Sequence, residues 1–115
     1  MAGLSIFVVE DEALIRMMVV DMLEELGHRV VAEAGSIHQA EPLARDTGFD
    51  LALFDINVAG SNITPIAEIV AARGLPFIFM SGYGSAGTPT AFNHRPVLRK
   101  PFMIEKLTEM ISSAR

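Results

Sequence analysis

The 115-residue chain contains no cysteine. That excludes disulfide scaffolds, thiolate zinc sites and thiol catalysis. Positive charge is scarce as well. Lys and Arg number nine against 14 Asp and Glu, for a formal net charge of -5. With no extended run of Lys or Arg, the electrostatic footprint of a nucleic-acid or anionic-membrane binder is missing. No apolar stretch approaches the roughly 18 residues that a spanning helix needs. The opening MAGLSIFVVEDE has no basic leader and meets acid at Glu10, which does not read as a secretory signal. A cytoplasmic location is expected.

What is present is enough apolar material for one core. Half the residues are hydrophobic and 20% are charged, a balance that argues against disorder. No repeat, linker or low-complexity tract divides the chain, so one domain over residues 1–115 is expected.

Short β-rich runs alternate with helical patterns. Strands are expected at Leu4–Val9, His28–Glu33, Asp50–Phe54, Pro76–Met80 and Val97–Arg99, the buried ones reading as continuous branched or aromatic runs. Helices are expected at Glu12–Leu26, closed by Gly27; at Ile37–Asp46 after the Ser36 cap; at Ile63–Arg73, closed by Gly74; and at Met103–Ala114. This alternation implies a parallel sheet covered on both faces, with right-handed crossovers. One segment breaks the rhythm. Between Ser81 and Lys100 glycines and prolines fall where a fourth helix is due, so that helix is expected to be short or irregular.

Sites in such sheets form beyond the carboxyl ends of the strands. Glu10, Asp11 and Glu12 follow the first strand, Asp55 the third, Ser81 the fourth and Lys100 the fifth. Carboxylates crowded on one rim repel, so they raise a pKa or bind a cation. With oxygen ligands alone the matching cation is Mg²⁺. A carboxylate beside Mg²⁺ can take a phosphoryl group as an aspartyl phosphate, with an ammonium and a hydroxyl to neutralise charge.

Four segments, IFVVEDE, LALFDINVAG, FIFMSGYG and LRKPF, resemble in order and spacing the landmarks of response-regulator receiver domains of two-component systems. The resemblance spans essentially the whole chain. It implies a flavodoxin-like doubly wound α/β fold with strand order 2-1-3-4-5 and a phosphorylation-dependent signalling switch rather than an enzyme. Residue by residue, it implies Asp55 as phosphoacceptor, Asp11 as direct Mg²⁺ ligand, Glu10 acting on the metal through water, and Asn57 offering its backbone carbonyl. It implies Ser81 as the switch hydroxyl, Lys100 as the lysine that pairs with the phosphoryl group, and a cis bond between Lys100 and Pro101. The phosphodonor it implies is a histidine kinase or a histidine phosphotransfer protein, with a possible downstream protein partner and a monomeric or weakly dimeric state.

The chain departs from the family pattern in places. Glu10 stands for the commoner Asp and Ser81 for the commoner Thr. Val97 occupies the position, three residues before the lysine, where many receivers carry a switching aromatic, so that coupling cannot operate in its usual form. The run PFIFMSGYG resembles single-domain receivers with a Phe-x-Thr-Gly-Tyr-Gly type motif. One expectation is that the Gly82–Gly87 segment, with Tyr83, orders on phosphorylation; Tyr83 reads equally as a packed loop aromatic.

On the first helix, Leu14, Ile15, Met18, Met22, Leu23 and Leu26 are expected to serve the core, while Met17 and Val20 fall on the polar side. Scattered surface apolar residues are ordinary. The alternative is a partner face, with Ile15, at the rim of the acid cluster, as leading docking residue. His28, His38 and His94 form no ligand pattern and are expected at the surface.

Two other functions fit the residues less well. A haloacid-dehalogenase-type aspartyl-phosphate hydrolase needs a second Asp two residues after the nucleophile, where this chain has Asn57. A flavodoxin-like small-molecule binding module would need a glycine-rich phosphate loop after the first strand, where this chain is acidic.

Overall fold

A computed structural model describes residues 3–82, 87–92 and 94–114. Its elements in chain order are β1 (Ser5–Val9), α1 (Ala13–Glu25), β2 (Arg29–Ala34), α2 (Ile37–Asp46), β3 (Leu51–Asp55), β4 (Asn57–Val58), β5 (Ser61–Asn62), α3 (Thr64–Ala72), β6 (Phe77–Ser81), β7 (Val97–Arg99) and α4 (Ile104–Ala114). Five strands form a parallel sheet in the order β2-β1-β3-β6-β7. Counted among themselves, these five follow the expected 2-1-3-4-5. The chain numbering differs because a small antiparallel hairpin, β4 with β5, intervenes after β3, and the sequence reading did not foresee it.

Strand residues alternate between two apolar layers, as the two-residue period of a strand requires. Phe7, Val9, Ala52, Phe54, Phe77 and Phe79 face α2 and α3, while Ile6, Val8, Leu51, Leu53, Ile78 and Met80 face α1 and α4. Six of the seven phenylalanines lie in the first layer. Phe54 sits in its middle, its ring centroid 6.0 Å from Phe7 and 5.4 Å from Phe77.

Local chemistry sets the helix ends. The Ser36 hydroxyl accepts from the Gln39 N–H at 3.1 Å to open α2, an N-cap. Gly27 and Gly74 follow α1 and α3 with φ of 89° and 75°, the left-handed closure that glycine adopts without a Cβ penalty. Pro65 stands in the first turn of α3, where its missing N–H costs nothing. Among the described residues, the place of a fourth peripheral helix between β6 and β7 is taken by a single 3-10 turn, Thr90–Phe92, in line with the glycines and prolines there.

Helix α1 departs from the expected core face. Val19 and Leu23 are its buried residues, while Leu14, Met17 and Met18 are 72%, 61% and 52% exposed. The helix is apolar on most of its circumference, so periodicity alone did not choose its buried side. His28 is half-buried rather than solvated, and its Nδ1 accepts from the Leu4 N–H at 3.0 Å.

Candidate functional site

Four strand ends build the site. β3 and β6 run one residue further than the sequence suggested, so Asp55 and Ser81 are their last residues. Glu10 follows β1 and Lys100 follows β7. Ladder-type bonds continue past the strands: the Glu10 N–H donates to Ala34 O at 3.0 Å and the Lys100 N–H to Ser81 O at 2.8 Å. The backbones carrying these side chains are therefore fixed by the sheet itself. The Lys100–Pro101 bond is cis.

Glu10, Asp11 and Asp55 each bring a carboxylate oxygen within 4.8 Å of the others. Glu10 is fully buried, Asp55 is 8% exposed and Asp11 is exposed. The Lys100 ammonium lies among them, 2.6 Å from Glu10 Oε1 and 3.3 Å from Asp55 Oδ2. The second Glu10 oxygen accepts from the Glu12 N–H at 3.1 Å. The Glu10 carbonyl accepts from Arg16 Nη1 at 2.6 Å, and Arg16 Nε lies 3.3 Å from Glu33.

Burial, with the Glu10 charge beside it, pushes the Asp55 carboxyl from its ordinary 3.8 up to about 7, against the opposing pull of Lys100. Burial alone would lower the Lys100 ammonium, but the bond to Glu10 and the Asp55 and Glu10 charges outweigh it and raise the pKa. An acid held this high beside two other carboxylates is a site short of positive charge.

A cleft of about 530 Å³ opens onto this cluster, lined at its polar end by Asp11, Asp55, Asn57, Ser81 and Lys100. Its other wall is apolar and includes Ile15, Met18, Met22 and Phe102. Ile15, expected at the rim of the acid cluster, is thus on the cleft wall. Tyr83, proposed from sequence as a switch residue, lies outside the described residues, as does most of the Gly82–Gly87 segment.

Sequence reasoning missed two features. One is the direct Glu10–Lys100 ion pair, made across 90 positions, for which no local pattern exists. The other is Asn62, whose side chain ties the hairpin to Gly87.

The donor set suits a hard divalent cation. Several carboxylate oxygens converge, one of them on an exposed residue at the mouth, and the chain has no thiolate to offer.

A doubly wound parallel sheet carrying an acidic triad and a lysine at its carboxyl edge defines the class: a flavodoxin-like α/β domain whose carboxyl edge could hold a cation. Residues 6–112 match the model of the response regulator receiver domain, and the chain belongs to that family, the receiver domains of two-component response regulators. The transcriptional regulatory protein PdtaR of Mycobacterium tuberculosis is 31% identical over 95% of the chain. The chain spans 55% of that protein's length. The solution structure of SdrG from Sphingomonas melonis superposes with a TM-score of 0.86 at 36% identity, covering 99% of this chain and 98% of SdrG. The anti-anti-sigma factor PhyR from Bartonella quintana gives 0.84 at 28% identity over 99% of this chain and 48% of PhyR. Among the described residues no helix is long and apolar enough to cross a membrane.

Proposed function

We propose that the chain accepts a phosphoryl group on Asp55 from a phosphohistidine of a histidine kinase or histidine phosphotransfer protein, and that the phosphorylated form switches the binding of a protein partner. The observation that supports this most is the convergence of the Glu10, Asp11 and Asp55 oxygens within 4.8 Å, with the Lys100 ammonium 3.3 Å from Asp55.

In this reading an ionised Asp55 oxygen attacks phosphorus. The P–O bond forms as the P–N bond to the imidazole breaks, and the imidazole leaves neutral with the proton on its other nitrogen. Lys100 supplies a positive charge to the transferred group and the Ser81 hydroxyl a hydrogen bond. Asp11 and Asp55 would hold Mg²⁺ directly, the Asn57 carbonyl would complete the protein ligands, and Glu10 would act through water. Bound there, Mg²⁺ would bring the Asp55 pKa down and neutralise charge on the phosphoryl oxygens.

The net charge of -5 favours a protein partner over nucleic acid or membrane. The likeness to a PhyR described as an anti-anti-sigma factor supports an output through protein–protein contact. The unit that switches is the single domain of residues 1–115, monomeric or weakly dimeric, in the cytoplasm.

The test is incubation with a small phosphodonor and Mg²⁺, read by intact mass. The wild type gains one phosphoryl group, and Asp55→Asn gains none. Equal labelling of both proteins, or no labelling of either, rejects the reading.

A further inference from the structure

Lys100 has two carboxylate neighbours, and the two contacts are unequal. It lies 2.6 Å from Glu10 and 3.3 Å from Asp55. The first is a short charge-assisted hydrogen bond; the second is a looser ion pair. The two acids also differ in freedom. Glu10 is fully buried, and both of its carboxylate oxygens and both of its backbone polar groups are engaged, by Lys100, Glu12, Ala34 and Arg16. Asp55 faces the cleft. Its charge is the one that an entering cation or phosphoryl group would claim.

We propose that Glu10 is the anchor of Lys100: a positioning residue that holds the ammonium beside Asp55 when Asp55 gives up its half of the ion pair. The inference rests on the phosphoacceptor reading for its purpose, since an ammonium tied only to Asp55 would be repelled outward by a cation arriving there. With a glutamate at this position the carboxylate reaches Lys100 from beneath the cleft floor. An aspartate, one methylene shorter, would set its carboxylate farther from the ammonium. Glu10 thereby acts through Lys100 and not on the phosphoryl group.

The chain has only two lysines, Lys100 and Lys106, so lysine chemistry reads this contact cleanly. The Lys106 side chain is 58% exposed and that of Lys100 16%, which makes Lys106 an internal reference. The folded protein is treated with a small amine-acylating reagent, in chelator and in saturating Mg²⁺, and the labelling rate of each lysine is read by peptide mass. In the wild type Lys100 reacts about tenfold slower than Lys106, and Mg²⁺ leaves that ratio unchanged. In Asp55→Asn the protection persists. In Glu10→Asp, which keeps the charge, Lys100 stays protected in chelator but reacts several-fold faster once Mg²⁺ is added. Glu10→Gln is the second variant, with the same direction, and circular dichroism of both confirms the fold.

Two results overturn the proposal: Mg²⁺ exposing Lys100 in the wild type, or Asp55→Asn exposing Lys100 as much as Glu10→Asp does. Neither depends on phosphorylation. A wild type that protects Lys100 but takes no phosphoryl group would remove the functional reading and leave the anchor standing.

Discussion

The Asn62 side chain donates to the backbone carbonyl of Gly87 at 2.9 Å, which ties the hairpin after Asp55 to the loop after Ser81. The same side chain turns its oxygen back on α3, accepting from the Thr64 N–H at 3.0 Å. One residue thus both starts a helix and joins two of the loops around the cleft.

These two jobs separate by mutation. Asn62→Ala loses the bond to Gly87 and both bonds from Thr64, from its N–H and its hydroxyl, and a destabilisation of about 1–2 kcal/mol is expected. Asn62→Asp keeps the acceptor for Thr64 and loses only the donor to Gly87, so it is expected to cost less than half as much. Urea unfolding of the two variants measures the difference. Equal losses would mean that the Gly87 contact carries all of the effect.

Asp55 makes stability depend on pH in a direction opposite to that of an ordinary paired aspartate. Its folded pKa of about 7 lies above the ordinary 3.8. Between these values the folded chain keeps a proton that the unfolded chain has lost. Stability from this group is therefore full below pH 4, falls as pH rises to about 7, and is level above. Asp55→Asn mimics the protonated form at every pH. In chelator its Tm is expected to exceed that of the wild type by an amount that grows across this window and then stays constant. For a domain of this size each kcal/mol is worth roughly 4 °C, so the gain at pH 8 is readable by calorimetry. Saturating Mg²⁺ at pH 8 is expected to raise the wild-type Tm and leave Asp55→Asn nearly unmoved. A Tm difference independent of pH would refute the shifted Asp55.

Much of the site was legible because the buried strands are short apolar runs that stop at polar residues. Val9 to Glu10, Phe54 to Asp55 and Met80 to Ser81 each mark such a change, Val97–Leu98 gives a shorter apolar run ahead of Arg99 and Lys100, and in a parallel sheet those ends share one edge. The glycines and prolines after Ser81 point to a short or irregular fourth helix for the same local reason, and among the described residues a single 3-10 turn, Thr90–Phe92, stands there. What was not legible lies beyond local pattern. The β4–β5 hairpin has two-residue strands, too short for any period to show. Periodicity points Leu14 and Met18 inward and does not single out Val19, because α1 offers apolar residues on nearly every side. The Glu10–Lys100 contact depends on a glutamate's reach across two strand ends, which composition and spacing do not encode.

Arg95 lies over the Phe77 ring, its guanidinium carbon 4.3 Å from the centroid. Its Nε is buried and finds no hydrogen-bond partner among the described residues. A cation over an aromatic face contributes about 0.5–2 kcal/mol, and an unmet buried donor costs about 1–3 kcal/mol. The two nearly cancel, and the packed stem is what remains. Arg95→Met keeps the stem and is expected to fall within about 1 kcal/mol of the wild type, whereas Arg95→Ala uncovers Phe77 and is expected to lose about 2 kcal/mol or more. Thermal unfolding of the pair decides it: equal losses would assign the stabilisation to the charge instead of the stem.

Leu14, Met17 and Met18 leave an apolar strip of α1 in solvent at 72%, 61% and 52% exposure, and Met103, just before α4, is 71% exposed. Ile15 and Met18 carry this strip onto the wall of the acidic cleft. A helix bearing a phosphohistidine must bring that residue to Asp55, and the strip is where its flanking apolar side chains would land. Met18→Arg is expected to slow transfer from the kinase by about tenfold or more, while phosphorylation by a small donor stays within about twofold of the wild type. Ile15→Arg should act in the same direction, with some loss of stability because Ile15 is half-buried. Small donors meet only the pocket, so they report chemistry without docking. If both donors slow equally in Met18→Arg, the strip contributes to the site itself, and the docking face must be sought elsewhere on the domain.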